Sequence, residues 1–76
     1  MIIISDLTML AASAKRAGRV EELATLSDLQ KTCVEDPHAA DMALVLSKWL
    51  AAELKQPFHL STRDEMQFAL LALADL

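Results

Sequence analysis

Apolar residues recur at helical spacing along most of the chain, and this pattern predicts four helical segments. The first contains Ile3, Leu7, Leu10, Ala14 and Ala17. Ser5 precedes this segment as an N-cap, and Lys15 and Arg16 fall in the last turn before Gly18, a residue typical of helix ends. We therefore predict helix 1 over about residues 5–17. The β-branched residues Ile2 to Ile4 are also compatible with a short strand, which could pair only across an oligomer.

A second periodic segment runs from Val20 to Val34, with Leu23, Leu26, Leu29 and Cys33 between them. Apolar residues at every third position form a wide face that can contact two neighbouring helices. The start of this segment is poorly marked, because no Ser, Thr, Asp or Asn lies between Gly18 and Glu21. A single kinked helix over residues 5–35 is therefore an alternative to two separate helices.

The third segment begins after Asp36-Pro37, a pair that is typical of a helix start. Pro57 disfavours helical geometry at Gln56, so we predict helix 3 from Pro37 to about Lys55. Its predicted main apolar face consists of Met42, Val45, Leu46, Trp49, Leu50 and Leu54. Further apolar residues widen this face, which predicts that helix 3 is the central helix of a bundle.

The last segment opens with Thr62 and Glu65 in the spacing of a capping box. From Met66 onward it is apolar nearly all round, and such a helix must be buried on most sides. A chain this small has little core of its own, so we expect a homodimer or higher oligomer. The expected interface is Ile3, Met66, Phe68, Leu70, Leu71, Leu73 and Leu76. The predicted fold class is all-α: a small three- or four-helix bundle completed by self-association through its C-terminal helix.

Composition limits the chain to one helical domain over residues 1–76. Apolar residues make up 54%, with one Gly and two Pro, which excludes turn-rich β folds and glycine-rich phosphate loops. No apolar stretch is long enough to span a membrane, and the apolar N-terminus lacks the preceding positive charge of a signal peptide. The net charge of −4 and the single Cys33 favour a cytoplasmic protein.

Residues that could carry chemistry are few. Cys33, His38 and Asp41 cluster in sequence and His59 follows later, but their spacing matches no metal motif. The chain contains none of the common nucleophile, metalloprotease or nucleotide-binding motifs. We therefore predict no enzymatic activity, no cofactor and no metal.

These observations favour a protein–protein interaction module that acts as a homodimer and binds a partner protein: a small acidic adaptor, subunit or inhibitor, for example of the mobile-element or antitoxin type. The expected partner-binding residues are Glu21, Glu22, Asp28 and Asp41. The alternative is a dimeric nucleic-acid-binding regulator that contacts phosphate through Lys15, Arg16 and Arg19. The acidic residues that follow this basic group oppose the alternative, since they repel phosphate.

Overall fold

A computed structural model describes residues 5–73, and this part of the chain contains four helices and no strand. The helices are α1 (Asp6–Arg16), α2 (Val20–Thr32), α3 (His38–Leu54) and α4 (Arg63–Ala72). The prediction of an all-helical fold with three or four helices is confirmed. The alternative conformations of Ile2 to Ile4 concern residues outside the described part, as do the expected interface positions Ile3 and Leu76.

The two ends of α1 follow the local sequence signals. The Thr8 N–H donates to Ser5 Oγ at 3.2 Å, so Ser5 is the N-cap. Gly18 has a φ of 73°, in the left-handed region that glycine adopts without strain. The Arg19 N–H then bonds to the Ala14 carbonyl at 2.9 Å, which closes the helix end. Helices α1 and α2 are therefore separate, and the single kinked helix is ruled out.

The ends of α3 also lie close to the predicted positions. Asp36 Oδ1 accepts a hydrogen bond from the His38 N–H at 3.0 Å and so satisfies a donor of the first turn. At the other end, Lys55 has a φ of 55°. The Gln56 N–H bonds to the Ala51 carbonyl at 2.9 Å, in the same arrangement that ends α1.

Two glutamines connect the ends of α2 and α4. Gln30 Nε2 donates to the carbonyls of Leu70 and Leu73 at 2.7 and 2.6 Å, at the end of α4. Gln67 Nε2 donates to the Cys33 carbonyl at 2.9 Å, at the end of α2. Each helix thus donates a side-chain hydrogen bond to carbonyls at the end of its neighbour, where intrahelical donors become scarce. The Leu70 carbonyl also accepts from the Leu73 N–H at 3.1 Å, where α4 ends after Ala72.

The core is built around the small residues of α3. Its buried residues are Ala39, Ala40, Ala43, Ser47, Leu50 and Ala51. The large buried side chains come mainly from the other helices: Leu7, Leu10, Leu26, Met66 and Leu70. α3 has more extensive contacts with the other three helices than any of them has with the rest, so the prediction that it is the central helix is confirmed.

The predicted packing face of α3 is wrong for three of its six residues. Leu50 is fully buried and Leu46 and Leu54 pack against the core, whereas Met42, Val45 and Trp49 are exposed. The physical reason is steric, because small side chains let three neighbouring helices approach α3 closely. A face of Met, Val and Trp would hold them further away.

Gly18 at the end of α1 and Lys55 at the end of α3 both have positive φ, so substitutions at the two positions should change stability in opposite directions. Lys55→Gly should raise the free energy of unfolding by about 0.5–1 kcal/mol, because glycine adopts positive φ without the side-chain clash. Gly18→Ala should lower it by about 1 kcal/mol. No atom lies within 4 Å of a Cβ at Gly18, so backbone strain is the only cost. Urea unfolding of both variants tests this; equal effects would contradict it.

Ser47 provides a second test of the core. Its side chain is fully buried and its Oγ has no hydrogen-bond partner. Ser47→Ala removes the unpaired hydroxyl without opening a large cavity, so it should raise the free energy of unfolding by about 1 kcal/mol. Ser47→Leu should lower it by about 1–3 kcal/mol, because the close helix contacts leave no room. A loss of stability in the alanine variant would show that the hydroxyl is paired in solution.

Candidate interaction surfaces

The first exposed apolar surface lies along the outer face of α3. Its residues, which we call the α3 stripe, are Met42, Val45, Leu46 and Trp49. They follow the i, i+3, i+4, i+7 spacing of one helix face. Val45 is 70% exposed and Trp49 is 49% exposed. Such a group of large apolar side chains indicates a contact surface.

The Trp49 end of the stripe is held by Arg19. The Arg19 guanidinium lies 5.4 Å from the centroid of the Trp49 ring, within cation–π distance. Arg19 also donates to Glu22 at 2.7 Å and to Glu53 at 2.8 Å. The hydrogen bonds to Glu22 and Glu53 raise the pKa of Arg19. These contacts connect the start of α2 to the end of α3 and fix the orientation of the tryptophan.

The Met42 end of the stripe lies beside a second ion pair. Asp41 Oδ2 accepts from Arg63 at 2.9 Å and lies 3.4 Å from Nδ1 of His38. The hydrogen bond from Arg63, more than the nearby His38, lowers the pKa of Asp41. The pair connects the start of α3 to the start of α4.

The second exposed apolar surface is a groove of about 660 Å³, which we call the α1–α4 groove. It is lined by Ser5, Thr8, Leu60, Asp64, Glu65, Phe68, Ala69 and Ala72. Phe68 is 78% exposed, the highest exposure among the large apolar residues of the described chain. The groove therefore combines a prominent aromatic side chain with an apolar lining and two carboxylates.

The loop between α3 and α4 holds one end of this groove. Asp6, in the first turn of α1, accepts a hydrogen bond from the His59 N–H at 2.5 Å, and its Oδ2 lies 3.1 Å from Nδ1 of His59. This contact places Leu60 between α1 and α4. The capping box stabilises the start of α4, which forms the other side of the groove. In it the Glu65 N–H donates to Thr62 Oγ1, while Glu65 Oε1 accepts from the Thr62 N–H. These contacts within the chain hold the two sides of the groove in place.

The carboxylates give the groove a negative rim. The Thr62 hydroxyl donates to Glu65 Oε1 at 2.9 Å, and this bond is the main reason that the pKa of Glu65 lies below its usual value. Asp64 precedes it in the first turn of α4. A segment that carries lysine or arginine would suit this rim better than an acidic one.

The residues expected at an oligomer interface fall into different environments. Met66, Leu70 and Leu73 are buried within the chain, because α4 packs against all three other helices. Phe68 and Leu71 are exposed, and only these two of the expected set offer surface in residues 5–73. The expectation that a terminal helix of so small a domain would stay uncovered is wrong for the inner side of α4, which the other helices of the same chain cover.

The acidic residues predicted to bind a partner differ in whether they already form ion pairs within the chain. Glu22 and Asp41 pair with arginines of the same chain, whereas Glu21 and Asp28 are exposed on α2. In the basic group proposed for nucleic acid, Arg19 is held by two carboxylates. Lys15 and Arg16 are exposed in the last turn of α1.

Sequence reasoning missed both the outward direction of the α3 stripe and the α1–α4 groove. The stripe had a detectable signal, because the small residues Ala39, Ala43, Ser47 and Ala51 recur every fourth position of α3. That spacing identifies one continuous face suited to close helix contacts. The groove had no such signal, since it joins α1 to residues more than 50 positions later in the chain.

Other candidate chemistry does not assemble into a site. Cys33 is buried, and this burial raises the pKa of its thiol. His38 lies beside Asp41 whereas His59 lies beside Asp6. In the part of the chain from residue 5 to residue 73, no group of three His, Cys, Asp or Glu side chains could hold a metal ion. None of the helices described is long and apolar enough to cross a membrane.

The described residues form a small four-helix protein with two exposed apolar surfaces. Comparisons with protein-family models, with curated proteins and with solved structures find no match. These two surfaces are the features of the structure that bear on its function.

The capping box predicts a specific pH dependence. Because the pKa of Glu65 is lowered in the folded state, its contribution to stability is present above the unfolded pKa and is lost as the pH falls through the folded pKa. Glu65→Gln should therefore lower the melting temperature at pH 7, and its difference from the wild type should shrink towards about pH 3. Asp64→Asn removes the same charge without a capping bond and should have a smaller effect. A difference that is independent of pH would contradict this assignment.

Proposed function

We propose that this protein is a non-enzymatic interaction module that binds an apolar, basic segment of a partner protein in the α1–α4 groove. The observation that carries the proposal is Phe68, which is 78% exposed beside an apolar groove with carboxylates at its rim. In the cell such a module would act as an adaptor, a subunit or an inhibitor. Each of these roles requires only that the partner segment be held.

The size and lining of the groove suit a short peptide segment. A volume of about 660 Å³ lies within the range of pockets that bind compact organic ligands, and it can accept a few large side chains. Aromatic side chains are frequent energetic centres of protein interfaces, because they bury a large area at a small cost in conformational entropy. Phe68 is placed for this role. The helices around it, stabilised by the capping box and the Asp6–His59 contact, supply a rigid support.

Charge favours a basic partner over a second copy of this chain. A symmetric dimer through the groove would bring the same acidic patch, with Asp64 and Glu65, to the contact from both copies. Like charges at an interface disfavour that pairing. A lysine or arginine on the partner would instead pair with the rim. The net charge of −4 would also attract a basic segment from a distance.

The nucleic-acid alternative has less support. Arg19 is paired with Glu22 and Glu53, which leaves Lys15 and Arg16 as the exposed cations of that group. Phosphate binding depends on several unpaired basic side chains, since each contact releases counterions.

Selection from a displayed library of random peptides tests the groove. We expect the peptides that bind the immobilised protein to combine large apolar residues with Lys or Arg. Their affinity should fall at least tenfold in Phe68→Ser, because the central aromatic contact is lost. Nuclear magnetic resonance of the labelled protein should show the largest shifts at Ser5, Thr8, Leu60 and Ala72 when such a peptide is added.

Leu71→Ser provides the matched control. Leu71 lies on the same helix and is 51% exposed, but it does not line the groove. This variant should bind the selected peptides as tightly as the wild type. Peptides that are acidic, or that bind Phe68→Ser and the wild type equally, would refute the proposed site.

A further inference from the structure

The α3 stripe lies apart from the groove, and the proposed function does not use it. The stripe belongs to one helix face, and Met42 and Trp49 are about 10 Å apart along the axis. Its three most exposed side chains are Met42 at 56%, Val45 at 70% and Trp49 at 49%. The small residues that face the core of the subunit lie on the opposite side of α3. The stripe is therefore an outward face that the other helices of residues 5–73 leave exposed.

We propose that the α3 stripe is a self-association surface, on which α3 of a second copy packs in the antiparallel direction. A two-fold axis between Val45 and Leu46 brings Met42 of each copy next to Trp49 of the other. The contact is then made twice, as symmetry requires. Methionine sulfur packs favourably against aromatic rings, and Arg19 holds the tryptophan ring in one orientation.

Charge along one side of the stripe supports the antiparallel direction. Asp41 and Lys48 are seven residues apart and therefore lie on nearly the same side of α3. In an antiparallel pair this side of one helix meets the same side of the other. Asp41 already pairs with Arg63 of its own chain. In the antiparallel dimer its position along the helix axis would be within about 3 Å of that of Lys48 in the second copy, so the lysine side chain could join this ion pair. Antiparallel packing also sets the two helix dipoles in opposite directions, which is favourable.

The size of the stripe indicates a reversible dimer. Its exposed apolar area is on the order of 400 Å² per subunit, whereas a stable interface buries about 800 Å² per partner. Contacts of this smaller size are typical of weak and transient association. We therefore expect a dissociation constant in the micromolar range.

Sedimentation equilibrium of the full chain from about 5 to 500 μM tests the proposal. The expected result is a mass that rises from that of the monomer towards twice that value. Val45→Lys should stay monomeric over this range, because it places a charge in the centre of the contact. Val34→Lys is the matched control, since Val34 is 67% exposed and lies outside the stripe; it should associate like the wild type. Circular dichroism should show both variants folded.

Lys48→Glu tests the direction of packing. It would place a carboxylate next to Asp41 of the second copy at both ends of the contact, and we expect dimerisation at least about tenfold weaker. Lys31→Glu makes the same charge change on α2 and should leave the dissociation constant unchanged. Equal effects of these two variants would overturn the antiparallel arrangement.

A chain that stays monomeric up to 500 μM would overturn the proposal. So would a dimer that is insensitive to Val45→Lys, or one that Phe68→Ser dissociates, because that dimer would use α4. Peptide binding in the groove is measured separately with Phe68→Ser. Failure of the dimer and failure of the groove are therefore distinguishable.

Discussion

Close packing against the small-residue face of α3 is the constraint on which the rest of the structure depends. Ala39, Ala43, Ser47 and Ala51 let α1, α2 and α4 approach one helix at the same time. The large side chains of the core then come from those three helices and fill the space around α3. This arrangement benefits a small chain in particular, because the buried face of α3 contacts more than one neighbouring helix and few residues are available for a core.

This packing also explains why the protein exposes so much apolar surface. Once the small side of α3 faces inward, Met42, Val45 and Trp49 must face outward. α4 is covered in the same way on one side only, so Met66 and Leu70 are buried while Phe68 stays exposed. The high apolar content of the chain is therefore divided between a core and two separate surfaces. We propose a second copy of the chain as the partner of the α3 stripe, and a basic segment of another protein as the partner of the groove with its acidic rim.

The helix ends could be predicted because they depend on neighbouring residues. Ser5, Gly18 and the Thr62–Glu65 pair each act within one helical turn, and all three occupy the predicted positions. The glutamine contacts between α2 and α4 could not be predicted, because Gln30 and Leu70 are 40 residues apart. Nothing in the local pattern indicates that one helix will satisfy the end of another.

The sequence by itself determined that the chain is helical, where the helix ends marked by Ser5, Gly18 and Thr62 lie, and that its apolar content exceeds what one small core needs. Only the tertiary structure decided which apolar residues became core and which became surface. The periodicity shows that α3 has apolar residues on several sides, but it does not show against which side the neighbouring helices pack. The packing side depends on how closely whole helices can approach one another, which is a property of the assembled bundle. For this reason the hydrophobic ranking of side chains wrongly assigned Met42, Val45 and Trp49 to the packing face of α3, while steric fit selected the face of alanines and Ser47.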